Sequence, residues 1–105
     1  MAFRSLEDEA SREFGIAVAA HALGDSHASQ QALDELVGRH AANSAYQIAA
    51  AFAWRGEADK AFDWLERARE QRDSSLAVVK IDPTLSPLRR DARYRAFLRK
   101  MKLPE

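Results

Sequence analysis

The chain has 105 residues, which argues for one domain able to bury a usable core without covalent staples. Apolar residues make up 47% and charged residues 30%, with no cysteine, so disorder, disulfide scaffolding and thiolate chemistry are excluded. Net charge is zero but unevenly spread: residues 1–53 carry three Lys/Arg against seven Asp/Glu, a net of −4, and residues 54–105 carry thirteen against nine, a net of +4.

The opening MAFRSLEDEASRE lacks the basic start and apolar run of a secretory signal, so no export is expected. A chain without cysteine fits a reducing, cytoplasmic setting. Ser5 to Leu23 is predicted as the first helix, because Leu6, Ala10, Phe14, Ala17 and Ala20 recur at three- and four-residue steps. Its Phe14–Leu23 portion is too short to span a bilayer and contains His21, so no membrane contact is expected. Gly24 stops it, and Asp25 or Ser26 can cap a second helix with Ala28, Ala32, Leu33 and Leu36 on its apolar stripe, ending near Gly38. Asn43 or Ser44 opens a third helix that runs through Trp54 and stops at Gly56. A fourth spans about Ala58 to Gln71, with Ala61, Phe62, Leu65 and Ala68 on one side. Connections this short force consecutive helices into antiparallel pairs.

The remainder reads differently. Ser74–Lys80 is a short apolar stretch, helical or extended, and Asp82-Pro83 and Ser86-Pro87 are expected to break regular structure. Asp91 looks like the N-cap of a final helix, Ala92 to Met101, with Tyr94, Phe97, Leu98 and Met101 on one stripe. Between Arg89 and Lys102 seven basic residues face only Asp91. Such a run can meet nucleic acid or anionic lipid, but a solvated face is its commoner meaning. A balanced total charge also argues against nucleic acid as a partner.

Gly24 and Gly56 lie 32 residues apart, each between an alanine-rich helix and a second amphipathic one. Superposing them puts Ile16 on Ile48, Ala17 on Ala49, Leu33 on Leu65 and Leu36 on Ala68. Over residues 10–72 the chain resembles the tetratricopeptide repeat, a helix–turn–helix unit of about 34 residues. In the second unit Ile48, Ala49, Phe52, Gly56, Ala61, Leu65 and Ala68 match the family's pattern; in the first, Ser29 and Leu36 stand where small residues are usual. The family's early tryptophan is absent from both units, and Asp73 occupies its closing proline position. The resemblance implies an all-α, α-solenoid domain: unit 1 about 10–41, unit 2 about 42–73, and a closing segment with a capping helix over 74–105. Ala49 and Ala61 would sit where helices approach most closely, a place for methyl-sized side chains. The tail, VKIDPTLSPLRRDARYRAFLRKMKLP, is similar to the segment closing tetratricopeptide arrays of bacterial signalling proteins.

The family uses the inner face of each unit's first helix as a groove. On this sequence that face holds Ser11, Phe14, Val18 and His21, then Asn43, Tyr46, Ala50, Ala53 and Trp54, so Phe14, Val18, His21, Asn43, Tyr46, Ala50 and Trp54 are the partner-binding residues the resemblance implies. Independently of it, helix 43–54 is apolar nearly all round, and such a helix is normally buried. The tail, a second copy of the chain or a partner segment must therefore cover its second stripe. A carboxylate clamp is not expected, because neither inner stripe offers lysine or arginine.

His21, His27 and His40 lack paired metal spacing, and His27 and His40 are expected at the surface. Asp59, Asp63, Glu66 and Glu70 alternate with Lys60, Arg67 and Arg69 in the manner of a solvated helix side, with Asp63 and Arg67 as an i,i+4 pair. No glycine-rich phosphate loop or nucleophile motif is present, so no catalytic, cofactor or metal site is expected. The expected function is protein–protein interaction with a peptide, a helix or a second subunit, homo-oligomerisation included. The alternative is a regulatory module related to the C-terminal part of a bacterial signalling enzyme or transcriptional regulator.

Overall fold

A helix ends where its last carbonyls find other donors, and three helices of this chain solve that problem in one way. The computed structural model describes residues 6–42, 44–73, 76–77 and 79–101. Among them lie α1 (Leu6–Ala22), α2 (Ser26–His40), α3 (Ala45–Trp54), α4 (Ala58–Glu70), a 3₁₀ helix (Pro83–Leu88) and α5 (Ala92–Lys100), with no strand. Gly24 at φ 84° and Gly56 at φ 82° close α1 and α3 in the left-handed conformation. The next amide then reaches back: Asp25 N–H to Ala20 O at 2.8 Å and Glu57 N–H to Phe52 O at 2.9 Å. A Cβ at either glycine would meet nothing within 4 Å, so the backbone angle and not space requires glycine. The end of α4 repeats the pattern without glycine: Arg72 takes φ 55°, and Asp73 N–H reaches Ala68 O at 2.9 Å.

Aspartates start α2, the 3₁₀ helix and α5. Asp25 accepts from Ala28 N–H at 3.0 Å, Asp82 from Thr84 N–H at 2.9 Å and Asp91 from Arg93 N–H at 2.9 Å. The side chain of Arg93 adds further bonds to Asp91 and holds that carboxyl down at about 2. The two proline dipeptides break α-helix but not helix altogether. Pro83 occupies the first turn of the 3₁₀ helix, where no donor is required, and the bonds Leu85 N–H to Asp82 O and Arg89 N–H to Ser86 O bypass both prolines. α2 also runs past Gly38 to His40, whose burial holds the last turn in place.

Paired helices run antiparallel. Ser29 Oγ, near the start of α2, donates to Ala17 O on the second half of α1 at 2.8 Å, while His40 at the far end of α2 lies 3.9 Å from Glu9 at the start of α1. Tyr46 at the start of α3 likewise meets Asp73 just beyond α4. Polar links join the pairs, among them Gln47 to Ser11, Arg55 to Gln30 and Gln71 to the Ala41 carbonyl. The core is one cluster running from Ala10 to Leu98, and Ala49 and Ala61 are both fully buried within it. Cations close its edges, with Lys60 over the Phe52 ring and Arg93 over the Phe62 ring at 4.7 Å. Among the described residues no helix is long and apolar enough to cross a membrane.

Ala61→Leu should cost about 1–3 kcal/mol by overpacking, read as a lower midpoint in thermal circular dichroism; an unchanged midpoint would show slack at this crossing. Arg72→Gly should do the opposite. Relieving a left-handed non-glycine residue returns about 1–2 kcal/mol and the added chain entropy removes about 0.5–1, so the urea midpoint should rise at constant slope.

Candidate functional site

The stripe of α3 that the resemblance assigns to a groove is where the structure concentrates its specific contacts. Every residue from Ala45 to Ala53 is buried except Gln47, which is half-buried. One side packs on α4. The other lies against the 3₁₀ helix, whose Leu85 and Leu88 are buried, as is Val79 upstream. A helix this rich in alanine carries little side-chain bulk, so its neighbours come close on both sides.

Two aspartates fix the arrangement. Asp73 Oδ2 accepts from the Tyr46 backbone N–H at 3.3 Å, supplying the first turn of α3 with a cap that Ser44 does not provide. Asp82 Oδ2 accepts from the Tyr46 hydroxyl at 2.6 Å, and its other oxygen takes both the Thr84 amide and the Thr84 hydroxyl. One carboxylate thus caps the 3₁₀ helix and pins it to α3. Burial, then the bond to Asp82, pushes the Tyr46 phenol well above its ordinary value. Nearby, Arg89 donates to the carbonyls of Lys80 and Asp82, and the Tyr94 hydroxyl to Val79 O at 3.3 Å.

The residues implied as partner-binding therefore divide. Tyr46, 4% exposed, is bonded to the chain's own tail, Ala50 is buried too, and neither presents an open groove. Phe14, Val18 and His21 stay half-buried along one flank of α1, and Trp54 is half-buried at the end of α3. Asn43 lies outside the described residues, as do Ser74, Ser75 and Val78 of the apolar stretch. The charged side of α4 is partly engaged. Arg67 stacks over the Trp64 ring at 4.4 Å, and Glu66 takes Arg69 at 3.0 Å and Lys100 of α5 at 2.9 Å. Burial alone would raise Glu66, but the hydrogen bonds from Lys100 and Arg69 outweigh it and hold its carboxyl below the ordinary value.

His40 departs from expectation: it is 1% exposed, not on the surface, and lines a cavity of about 120 Å³ with Glu9, Glu13 and Glu35. Its place at the end of α2 turns the ring toward α1. The hydroxyl of Ser29 likewise explains the departure from alanine there, since it satisfies a buried carbonyl across the helix crossing. Asp73 and Asp82 had no local signal as pins for α3, because they act 27 and 36 residues from Tyr46. Compared with models of known families, with curated proteins and with solved structures, the chain matches none.

Tyr46→Phe should lower stability by about 1.5–3 kcal/mol at neutral pH, the usual contribution of a hydrogen bond to a charged acceptor. The raised phenol also sets a pH window. Its contribution is intact below the ordinary phenol value of about 10 and is lost as pH climbs toward the higher folded-state value. Wild-type midpoints should fall above about pH 10, and those of Tyr46→Phe should fall less steeply over the same range. Parallel curves would show that another group governs alkaline unfolding.

Proposed function

We propose that the chain is a tetratricopeptide-like interaction module, two helix pairs stacked as consecutive units of an α-solenoid and closed by α5. It acts by binding protein segments and not by catalysis. The observation that carries this reading is the seat of the 3₁₀ helix: the groove-side stripe of α3 already holds a short irregular segment through Tyr46, Asp82 and a few leucines. A stripe built for one such segment is suited to others. Its continuation on the neighbouring α1, where Phe14, Val18 and His21 remain half-open, is the place left for a peptide from another protein. The linked side chains of Gln47 and Ser11 support continuity between the two helices. Apolar anchors in such a groove carry most of the binding energy, with polar groups at the rim fixing register.

Val18→Asp combined with His21→Asp should abolish capture of a partner from a lysate of the source cells. The variant's melting midpoint should stay close to wild type, because both sites are only half-buried. Equal capture by a folded variant would overturn the assignment of this flank.

A further inference from the structure

We propose that the chain associates head to tail with a second copy of itself, the basic surface around Ile81 docking into an acidic-rimmed apolar groove between α1 and α2. This goes beyond the peptide-binding reading and uses a different surface. Ile16 is two residues from both Phe14 and Val18, about 200° around the helix, so it points away from the flank they form.

The groove measures about 510 Å³ and is bounded by α1 and α2 alone. Ile16, 41% exposed, and Ala28 and Ala32 supply its apolar surface, while Glu13, Asp34 and Glu35 supply the charge. Among the described residues Asp34 accepts from the neutral amide of Gln30, at 2.8 Å, and enters no ion pair. Glu35 pairs with Arg39 at 3.6 Å on an exposed face where such pairs are weak and readily exchanged, while the half-buried Glu13 lies 3.7 Å from an exposed Arg12.

The complementary surface lies at the other end of the chain. Ile81 is 76% exposed, a large apolar side chain standing in solvent. The Arg89 guanidinium binds the carbonyls on either side of it, Lys80 O at 3.1 Å and Asp82 O at 3.2 Å, and so fixes the backbone that presents it. Beside Arg89, the side chains of Arg90 and Arg95 border a second open concavity of about 510 Å³. The cations of α5 that bridge to α4 are Arg93, to Asp59, and Lys100, to Glu66. Arg90 and Arg95 are exposed and, among the described residues, enter no ion pair.

Charge complementarity points to the same occupant. The half of the sequence that builds the groove carries −4 and the half that builds the basic surface carries +4, so each copy holds both members of the match. With zero net charge, copies do not repel at long range. Because the two patches differ, the contact is heterologous and extends to a ring or a chain of copies instead of a two-fold dimer.

Sedimentation velocity from about 10 to 300 µM, at about 50 and 500 mM salt, tests this on the full chain. Mass should rise with concentration at low salt, and high salt should weaken association about tenfold or more. Asp34→Arg/Glu35→Arg makes both surfaces basic, and Arg90→Glu/Arg95→Glu makes both acidic, so each variant alone should be monomeric. Mixing the two should restore association, because each then offers what the other lacks. Ile81→Asp should also be monomeric, and all these positions are exposed, so folding is preserved. A wild type monomeric throughout, variants that associate like wild type, or a mixture of folded variants that stays monomeric would each overturn the proposal. So would binding of the basic surface to duplex DNA with no self-association. Partner capture through Val18 and His21 by a strictly monomeric chain would sink the self-docking and leave the peptide-binding reading intact.

Discussion

An alanine-rich helix with no polar face has to be covered on every side, and α3 imposes that demand on the whole chain. Ala45, Ala49, Ala50, Ala51 and Ala53 present methyl groups around its full circumference, with Tyr46, Ile48, Phe52 and Trp54 as its large side chains. Each methyl buries little area, so the stabilisation comes from the larger side chains that come close over them. α4 supplies one cover, the first helix pair another, and the 3₁₀ segment the third. Close approach on all sides leaves no slack. The polar pins at Asp73 and Asp82 then select one seat for each cover.

The same economy appears in how segments begin and end. Aspartate opens α2, the 3₁₀ helix and α5; a left-handed residue with a back-reaching amide closes α1, α3 and α4. α3 and α4 start without a cap from their own flanking side chain, and α3 takes one from Asp73, just beyond the end of α4. That exchange ties the fourth helix's ending to the third helix's beginning. Neither end is finished without the other.

Much of this architecture was legible in the sequence because it is local. Apolar spacing of three and four residues places α1 to α4, Gly24 and Gly56 mark two of their ends, and Asp91 marks the start of α5. The all-round apolarity of helix 43–54 demands a cover, and the tail, through Asp82, lies over Tyr46. What could not be read depends on distance along the chain or on context. Arg72 closes α4 without glycine, which propensity disfavours and tertiary contact overrides. His40 is polar and terminal in its helix yet buried, because the crossing with α1 brings Glu9 and its own ring together. Asp82 reads as a proline-dipeptide turn, and only three-dimensional proximity makes it the acceptor of a phenol 36 residues away. Of the stripe assigned to a groove, the sequence shows its apolarity but not that Tyr46 within it is bonded to the chain's own tail.

The pairing of Tyr46 with Asp82 also sets an order of events on the ribosome. Thirty-six residues separate the two. At bacterial or eukaryotic elongation rates that interval takes about 2–7 s, during which α3 has emerged but its last cover has not been made. A nascent chain therefore carries an oily, alanine-lined rod with one side bare, held meanwhile only by the helices flanking it. The interval is long beside helix formation and collapse, which take microseconds. Vectorial synthesis thus gives chaperones a defined stretch, residues 45–53, and a defined time in which to shield it.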